Sequence, residues 1–209
     1  MNLTPEQHDS LAGRIRAAEA RTSGEIYCVV ARASDSYLYP AACMLAVGIL
    51  VVSLPVAWWL DRSWLPVSHL LFGAAEIAAF LTGLLALWFA PGLRIRLVPH
   101  RLRYRRAHDN ALKQFLAHNI HLTEQRTGVL IFVSLSERYA EVVADAGINA
   151  RVSQDEWNGI VAVLTASAGS GRLVDGLAEA IDAAGTLLAA HFPGGTGNPN
   201  ELEDHVVEI

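Results

Sequence analysis

At 209 residues the chain is long enough for one ordinary domain with a real core and too short for two large ones. Hydrophobic residues make up 52% and charged residues 18%, below the roughly 25% charged expected of a soluble protein, so either the core is unusually large or part of the chain lies in lipid. The formal charge of −5 hides a segregation: Arg94, Arg96, Arg101, Arg103, Arg105, Arg106 and Lys113 face only Asp109, a net +6 over residues 94–113. The chain beyond residue 113 is net acidic, which excludes a basic face spread over the fold and with it nucleic acid as a partner.

The chain opens with Thr4-Pro5-Glu6-Gln7, an N-cap, a proline at the first helical position and a glutamine at the capping-box position. Leu11, Ile15 and Ala18 then form one apolar stripe. The helix is expected to stop at Thr22-Ser23-Gly24, with Gly24 as a left-handed C-terminal cap. EIYCVVAR, residues 25–32, reads as a strand buried on both faces. No basic segment followed by a short apolar core opens the chain, so no cleavable signal peptide is expected and the first apolar helix must direct its own insertion. Cys28 falls in the strand and Cys43 in an apolar run, which argues against a structural disulfide and fits a reducing compartment.

Residues 41–60 carry no charge over 20 positions, enough at ~1.5 Å per residue to cross a ~30 Å hydrocarbon core. Residues 67–93 hold one carboxylate, Glu76. Trp58, Trp59 and Trp64 on one side and Trp88-Phe89 on the other read as interfacial belts. The sequence therefore predicts two membrane helices, 41–60 and 67–90, in a tight hairpin. Its loop at 61–66 carries one Arg against one Asp, whereas six Arg come after the second helix, so the positive-inside rule places both termini in the cytoplasm. Pro55 suggests a kink that neighbouring groups can satisfy in lipid. Glu76 shares a helical face with His69 and Gly83, a stripe that reads as a packing face rather than as an ion path.

After the hairpin, residues 100–118 form a basic helix whose Ala107, Ala111, Leu112 and Phe115 can face a core. GVLIFVSL at 128–135 and YAEVVAD at 139–145 read as a strand hairpin turned by the polar Ser136-Glu137-Arg138. Ser153 and Glu156 form a capping box for a helix to about Ala168. Gly169-Ser170-Gly171 separates it from a last helix over 172–191, and PGGTGNPN at 193–200 reads as loop. The domain plan is thus a first part (1–36), the two spans, a second part (98–192) and a C-terminal tail (193–209). Three short apolar strands with four amphipathic helices bury a sheet as a layered α/β domain.

RTSGEIYCVVA at 21–31 and RTGVLIFVSLSERYAEVVADAGI at 126–148 resemble the TPM domain, a family named for thylakoid-lumen, photosystem-associated and neuronal-membrane members. The resemblance covers residues 4–36 and roughly 100–191, and is similar in element order to bacterial members with a membrane hairpin inside the domain. It implies a three-layer α/β/α sandwich split by that hairpin, phosphatase activity for some members and assembly or accessory roles for others. Asp145-Ala146-Gly147 stands where many members have a Gly-x-Gly turn.

No nucleophile elbow, P-loop or dinucleotide fingerprint is present. His118 and His121, three apart, could share a metal, but without a nearby cysteine or carboxylate they read as surface or capping groups. A site, if there is one, belongs at strand ends, which singles out Glu25, Arg126 and Asp145 as catalytic candidates and Glu25 and Asp145 as ligands for a divalent cation. The competing reading makes Glu25 and Arg126 exposed boundary residues and Asp145 a turn cap. The function expected is a membrane-anchored interaction or assembly module at the cytoplasmic face of the inner membrane. Its partners would be membrane lipids and a protein, or a second copy met through the hairpin, and the alternative is a metal-dependent phosphatase.

Overall fold

The computed structural model describes residues 3–64, 66–123, 125–194, 202 and 205–209, which separate into two units, 1–34 with 104–209 and 35–103. The first unit is organised by a four-stranded mixed sheet of order β3-β2-β1-β4. Its strands are β1 (Glu25–Ala31), β2 (Gly128–Ser134), β3 (Tyr139–Ala144) and β4 (Val206–Glu208). All seven residues of β1 and of β2 are buried, as continuous Val/Ile/Leu runs require when both faces of a parallel pair are covered. They pair in parallel from Glu25 against Gly128 to Ala31 against Ser134, while β2 and β3 form the expected antiparallel hairpin. A parallel pair needs a crossover, and the 35–103 unit lies within that crossover in sequence.

Alternation along the strands divides the sheet's two faces. Ile26, Cys28, Val30, Val129, Ile131 and Val133 pack with Leu11 and Ile15 of α1 (Pro5–Glu19), Trp157 and Leu164 of α7 (Gln154–Gly169) and Leu177 and Ile181 of α8 (Leu173–His191). On the other face Tyr27, Val29, Leu130 and Phe132 meet Ala111 and Phe115 of α5 (His100–Ala117) and Ile120 of the 3₁₀ turn after it. Fully burying each such aliphatic or aromatic side chain contributes about 1.5–3 kcal/mol. Helix starts obey their sequence signals: Thr4 Oγ1 accepts from Gln7 N–H, and the Glu156 carboxylate accepts from Ser153.

Four local readings change. Gly24 is not left-handed; α1 ends at Glu19 with Ala20 as its C-cap, and a Cβ at Gly24 would lie 3.0 Å from Leu188 Cδ1, so packing against α8 is what favours glycine there. Leu112 is 39% exposed, because α5 turns only Ala107, Ala111 and Phe115 inward. His118 is half-buried, with Nδ1 2.9 Å from the Tyr27 hydroxyl, and His121 stacks instead toward Phe115, so the two imidazoles serve different neighbours. The region read as a tail supplies β4, parallel to β1, and Pro193 forms an isolated bridge with Thr22; residues 195–201 lie outside the described residues.

The 35–103 unit contains α2 (Leu38–Arg62), α3 (His69–Phe89) and α4 (Pro91–Leu97). At 25 and 21 residues, α2 and α3 reach ~37 and ~31 Å, and both are apolar and long enough to cross a membrane. Only 6% of the apolar window of each is buried. The helix α2 continues through Pro55. A Cβ on Gly83 would lie 2.6 Å from Leu45 Cδ2, so glycine lets α3 approach α2 closely. Glu76, seven residues earlier on the same face, is half-buried. Arg94 of α4 folds back on the end of α3, its Nε donating to Leu87 O at 2.7 Å and its Nη2 to Trp88 O at 2.8 Å, which satisfies carbonyls the helix end leaves open.

Candidate strand-end site

The β1–β2 register brings two of the three sequence candidates to one end of the sheet, and β3 delivers the third. Glu25 opens β1, and its N–H donates to Thr127 O at 3.1 Å. Its partner across the ladder, Gly128, accepts from Asp145 N–H at 2.9 Å. Arg126 precedes β2 with φ 57°, and its Nη1 lies 3.9 Å from Asp145 Oδ1. That pair is loose and the Arg126 side chain is 62% exposed, so solvent screens it to little net stability.

The carboxylates have structural employment. Glu25 is buried, not an exposed boundary residue, and its Oε2 accepts from Leu202 N–H at 3.3 Å. Asp145 caps α6 (Ala146–Asn149), with Oδ1 accepting from Ala146 N–H at 2.6 Å. Its Oδ2 is buried without a partner among the described residues. Gly147 is the glycine this turn cannot replace: a Cβ there would stand 2.5 Å from Arg126 O and 3.0 Å from Gln125 O. Residues 125–126 therefore lie directly on α6, and one glycine of the turn is fixed by sterics.

A divalent oxygen-seeking cation takes six or more oxygen ligands, several of them carboxylates. Among the described residues no group of three His, Cys, Asp or Glu side chains gathers with metal-holding geometry. Glu25 Oε2 and Asp145 Oδ1 each accept from a backbone N–H group, so one oxygen of each carboxylate is engaged in holding the fold. A cleft of about 290 Å³ lies at this end, lined by Ser23, Gln125, Thr127, Gly147, Arg151 and His191. Arg151 crosses it, donating to His191 O at 3.1 Å and lying 4.9 Å from the centre of the Phe192 ring.

The three candidates sit at the amino ends of β1 and β2, whereas open α/β sheets bind ligands beyond the carboxyl ends of their parallel strands. At the carboxyl end the sequence shows only a polar turn. There Glu137 is buried, with Oε1 accepting from Ser34 N–H at 2.9 Å and Oε2 from the Ser134 hydroxyl; Ser34 Oγ and Ser134 Oγ are 2.8 Å apart. The geometry is that of a clasp joining the exit of β1 to the β2–β3 turn. A cavity of about 330 Å³ opens beside it, lined by Ser134, Leu135, Arg138, Tyr139, Thr165 and Gly169. No sequence signal separates Glu137 from an ordinary turn residue, because its burial depends on the distant Ser34.

On the α5 side of β3, Glu141 accepts from the Tyr139 hydroxyl at 2.9 Å and meets His108 Nδ1 at 2.9 Å. Burial first, then the Glu141 carboxylate, pushes the Tyr139 phenol well above its ordinary range.

No protein-family model and no curated protein matches the chain. A solved structure is similar: the NMR structure of BA42 protein from the psychrophilic bacterium Bizionia argentinensis, with a TM-score of 0.62 and 20% identity, over 100% of this chain and 97% of that one. At that identity the likeness concerns the fold alone.

Proposed function

We propose that the chain is a two-pass inner-membrane protein whose sheet unit is a TPM-like α/β/α sandwich, and that it serves as an interaction or assembly module at the cytoplasmic face. The carrying observation is the pair of lipid-length helices with 6% of their apolar windows buried, beside a sheet unit whose strand-end carboxylates accept backbone N–H groups. The first supports an anchor; the second leaves those groups engaged in holding the fold. The arginines after α3 against the single Arg62 of the loop favour both termini inside.

One observation favours a second reading, a metal-dependent phosphatase using Glu25 and Asp145: the Asp145 carboxylate keeps one buried oxygen, Oδ2, without a partner among the described residues while its Oδ1 lies 3.9 Å from Arg126 Nη1, and phosphoryl transfer relies on positioned positive charge. The full-length protein purified in detergent separates the two. The module reading expects no divalent-dependent turnover of a generic phosphomonoester and a stoichiometric protein, or a second copy, retained on gentle solubilisation. Turnover that requires the metal and disappears in Asp145→Asn would replace it with the phosphatase.

A further inference from the structure

Three guanidinium groups occur within the 14 residues that follow α3 and have no hydrogen-bond or ion-pair partner among the described residues. They are Arg96, Arg101 and Arg103, and no acidic residue occurs between Asp61 and Asp109 except Glu76 within α3. Arg96 and Arg101 are exposed, and the Nε of Arg103 is buried without a partner. Arg94, by contrast, is spent: its three nitrogens reach Leu87 O, Trp88 O and Ser36 O.

That clasp fixes where the free arginines lie. By holding the carbonyls of Leu87 and Trp88, Arg94 ties α4 to the last turn of α3, at the level of the exposed aromatic side chains Tyr39, Trp88 and Phe89. Such aromatic rings mark the headgroup level of a membrane-crossing helix. On α4, Leu93 and Leu97 are both exposed and, four apart, share one face; at 100° per residue Arg94 and Arg96 flank that ridge on opposite sides. One flank is turned to the protein and the other to the surroundings. This is the pattern of a helix lying in an interface, apolar ridge toward the acyl chains and cation at the phosphates.

We propose that α4 and the first turn of α5 form a binding surface for anionic phospholipid, with Leu93 and Leu97 among the upper acyl carbons and Arg96, Arg101 and Arg103 on headgroup phosphates. This rests on the membrane reading of the hairpin. Arginine suits the task because its planar fork meets phosphate oxygens in pairs. Unneutralised charge in the protein points to the lipid as its counterion: three cations without an internal partner in the headgroup layer are satisfied by a net-negative headgroup and repelled in part by the choline of a zwitterionic one.

The test uses full-length protein reconstituted in phosphatidylcholine vesicles containing trace spin-labelled phosphatidylglycerol or spin-labelled phosphatidylcholine, reading the motionally restricted fraction of each. The expected result is phosphatidylglycerol association about fivefold or more above phosphatidylcholine, falling toward parity at high salt and in R96Q/R101Q/R103Q. The phosphatidylcholine restricted fraction of the triple variant should match the unsubstituted protein, which reports an intact hairpin; if it does not, the single variant R101Q, with a partial loss expected, carries the comparison. Equal association of the two lipids, a preference that survives the triple substitution, or its removal by inorganic phosphate at matched ionic strength would overturn the proposal. Failure of the membrane reading looks different: no restricted component for either lipid and release of the chain by alkaline carbonate.

Discussion

The sheet unit and the hairpin unit place the same kinds of side chain in opposite surroundings. Phe132 and Val29 are 0% exposed in the sheet, whereas Leu54 is 72% and Leu70 85% exposed in the hairpin. The sequence distinguishes the two by how apolar residues are spaced. In α1 they form one stripe, Leu11, Ile15 and Ala18, with polar residues around the rest of the helix, which is how a helix lies on a protein core. The helices α2 and α3 are apolar all round, and such a helix is covered by protein or by lipid. Only 6% of their apolar windows is buried within this chain.

The largest test of this contrast is Phe132→Ala, which empties a fully buried position between β1, β3 and the α5 face. It should cost about 3–5 kcal/mol, a large share of the ~5–15 kcal/mol that holds a domain folded, read as a lower urea midpoint in the detergent-solubilised protein. In the hairpin the corresponding experiment is Leu54→Arg. At an exposed position of a water-soluble helix this substitution changes stability by at most about 0.5 kcal/mol. At the centre of a membrane span it costs about 3–4 kcal/mol of insertion. A reduced carbonate-resistant fraction with unchanged sheet circular dichroism is expected; full resistance to extraction would break the contrast.

The smallest effect sharpens the sheet side. The Glu156 carboxylate accepts from the Ser153 backbone N–H and hydroxyl, in that order of influence, and these bonds hold it below its ordinary value of 4.5. A carboxylate lowered in the fold adds stability above its unfolded value and loses it as pH falls through the lowered one. Ser153→Ala should therefore lower Tm by about 2–4 °C near neutral pH, and the deficit should shrink below pH 4.5. A deficit constant down to strongly acid pH would assign it to the serine's own helix propensity instead.

Legibility tracks the range of the interactions. The α1 capping box, β1, the β2–β3 hairpin and both apolar helices declare themselves within a few residues, through period, charge and turn chemistry. The strand β4 does not: Val206–Glu208 is three residues long, comes after a Gly-, Pro- and Asn-rich stretch, and exists through pairing with β1 and the bonds from Leu3 N–H and His8 to Glu208. The sequence misleads at Gly24 because a helix-stop pattern and a packing requirement both select glycine. At the candidate site, the convergence of Glu25, Arg126 and Asp145 on Gly128 is legible as strand ends. Their engagement is not, since the Leu202 N–H that holds Glu25 lies 177 residues away.

The central claim, a hairpin that crosses the membrane from within a cytoplasmic sheet unit, is tested most directly by thiol labelling in intact cells. With Cys28 and Cys43 replaced by alanine, single-cysteine variants Ser63→Cys in the α2–α3 loop and Ser136→Cys in the exposed β2–β3 turn are exposed to a membrane-impermeant maleimide. The account expects labelling of Ser63→Cys in intact cells and of Ser136→Cys only after the cells are opened. Labelling of Ser136→Cys in intact cells with Ser63→Cys protected would invert the topology, and protection of both until lysis would contradict a membrane-crossing hairpin.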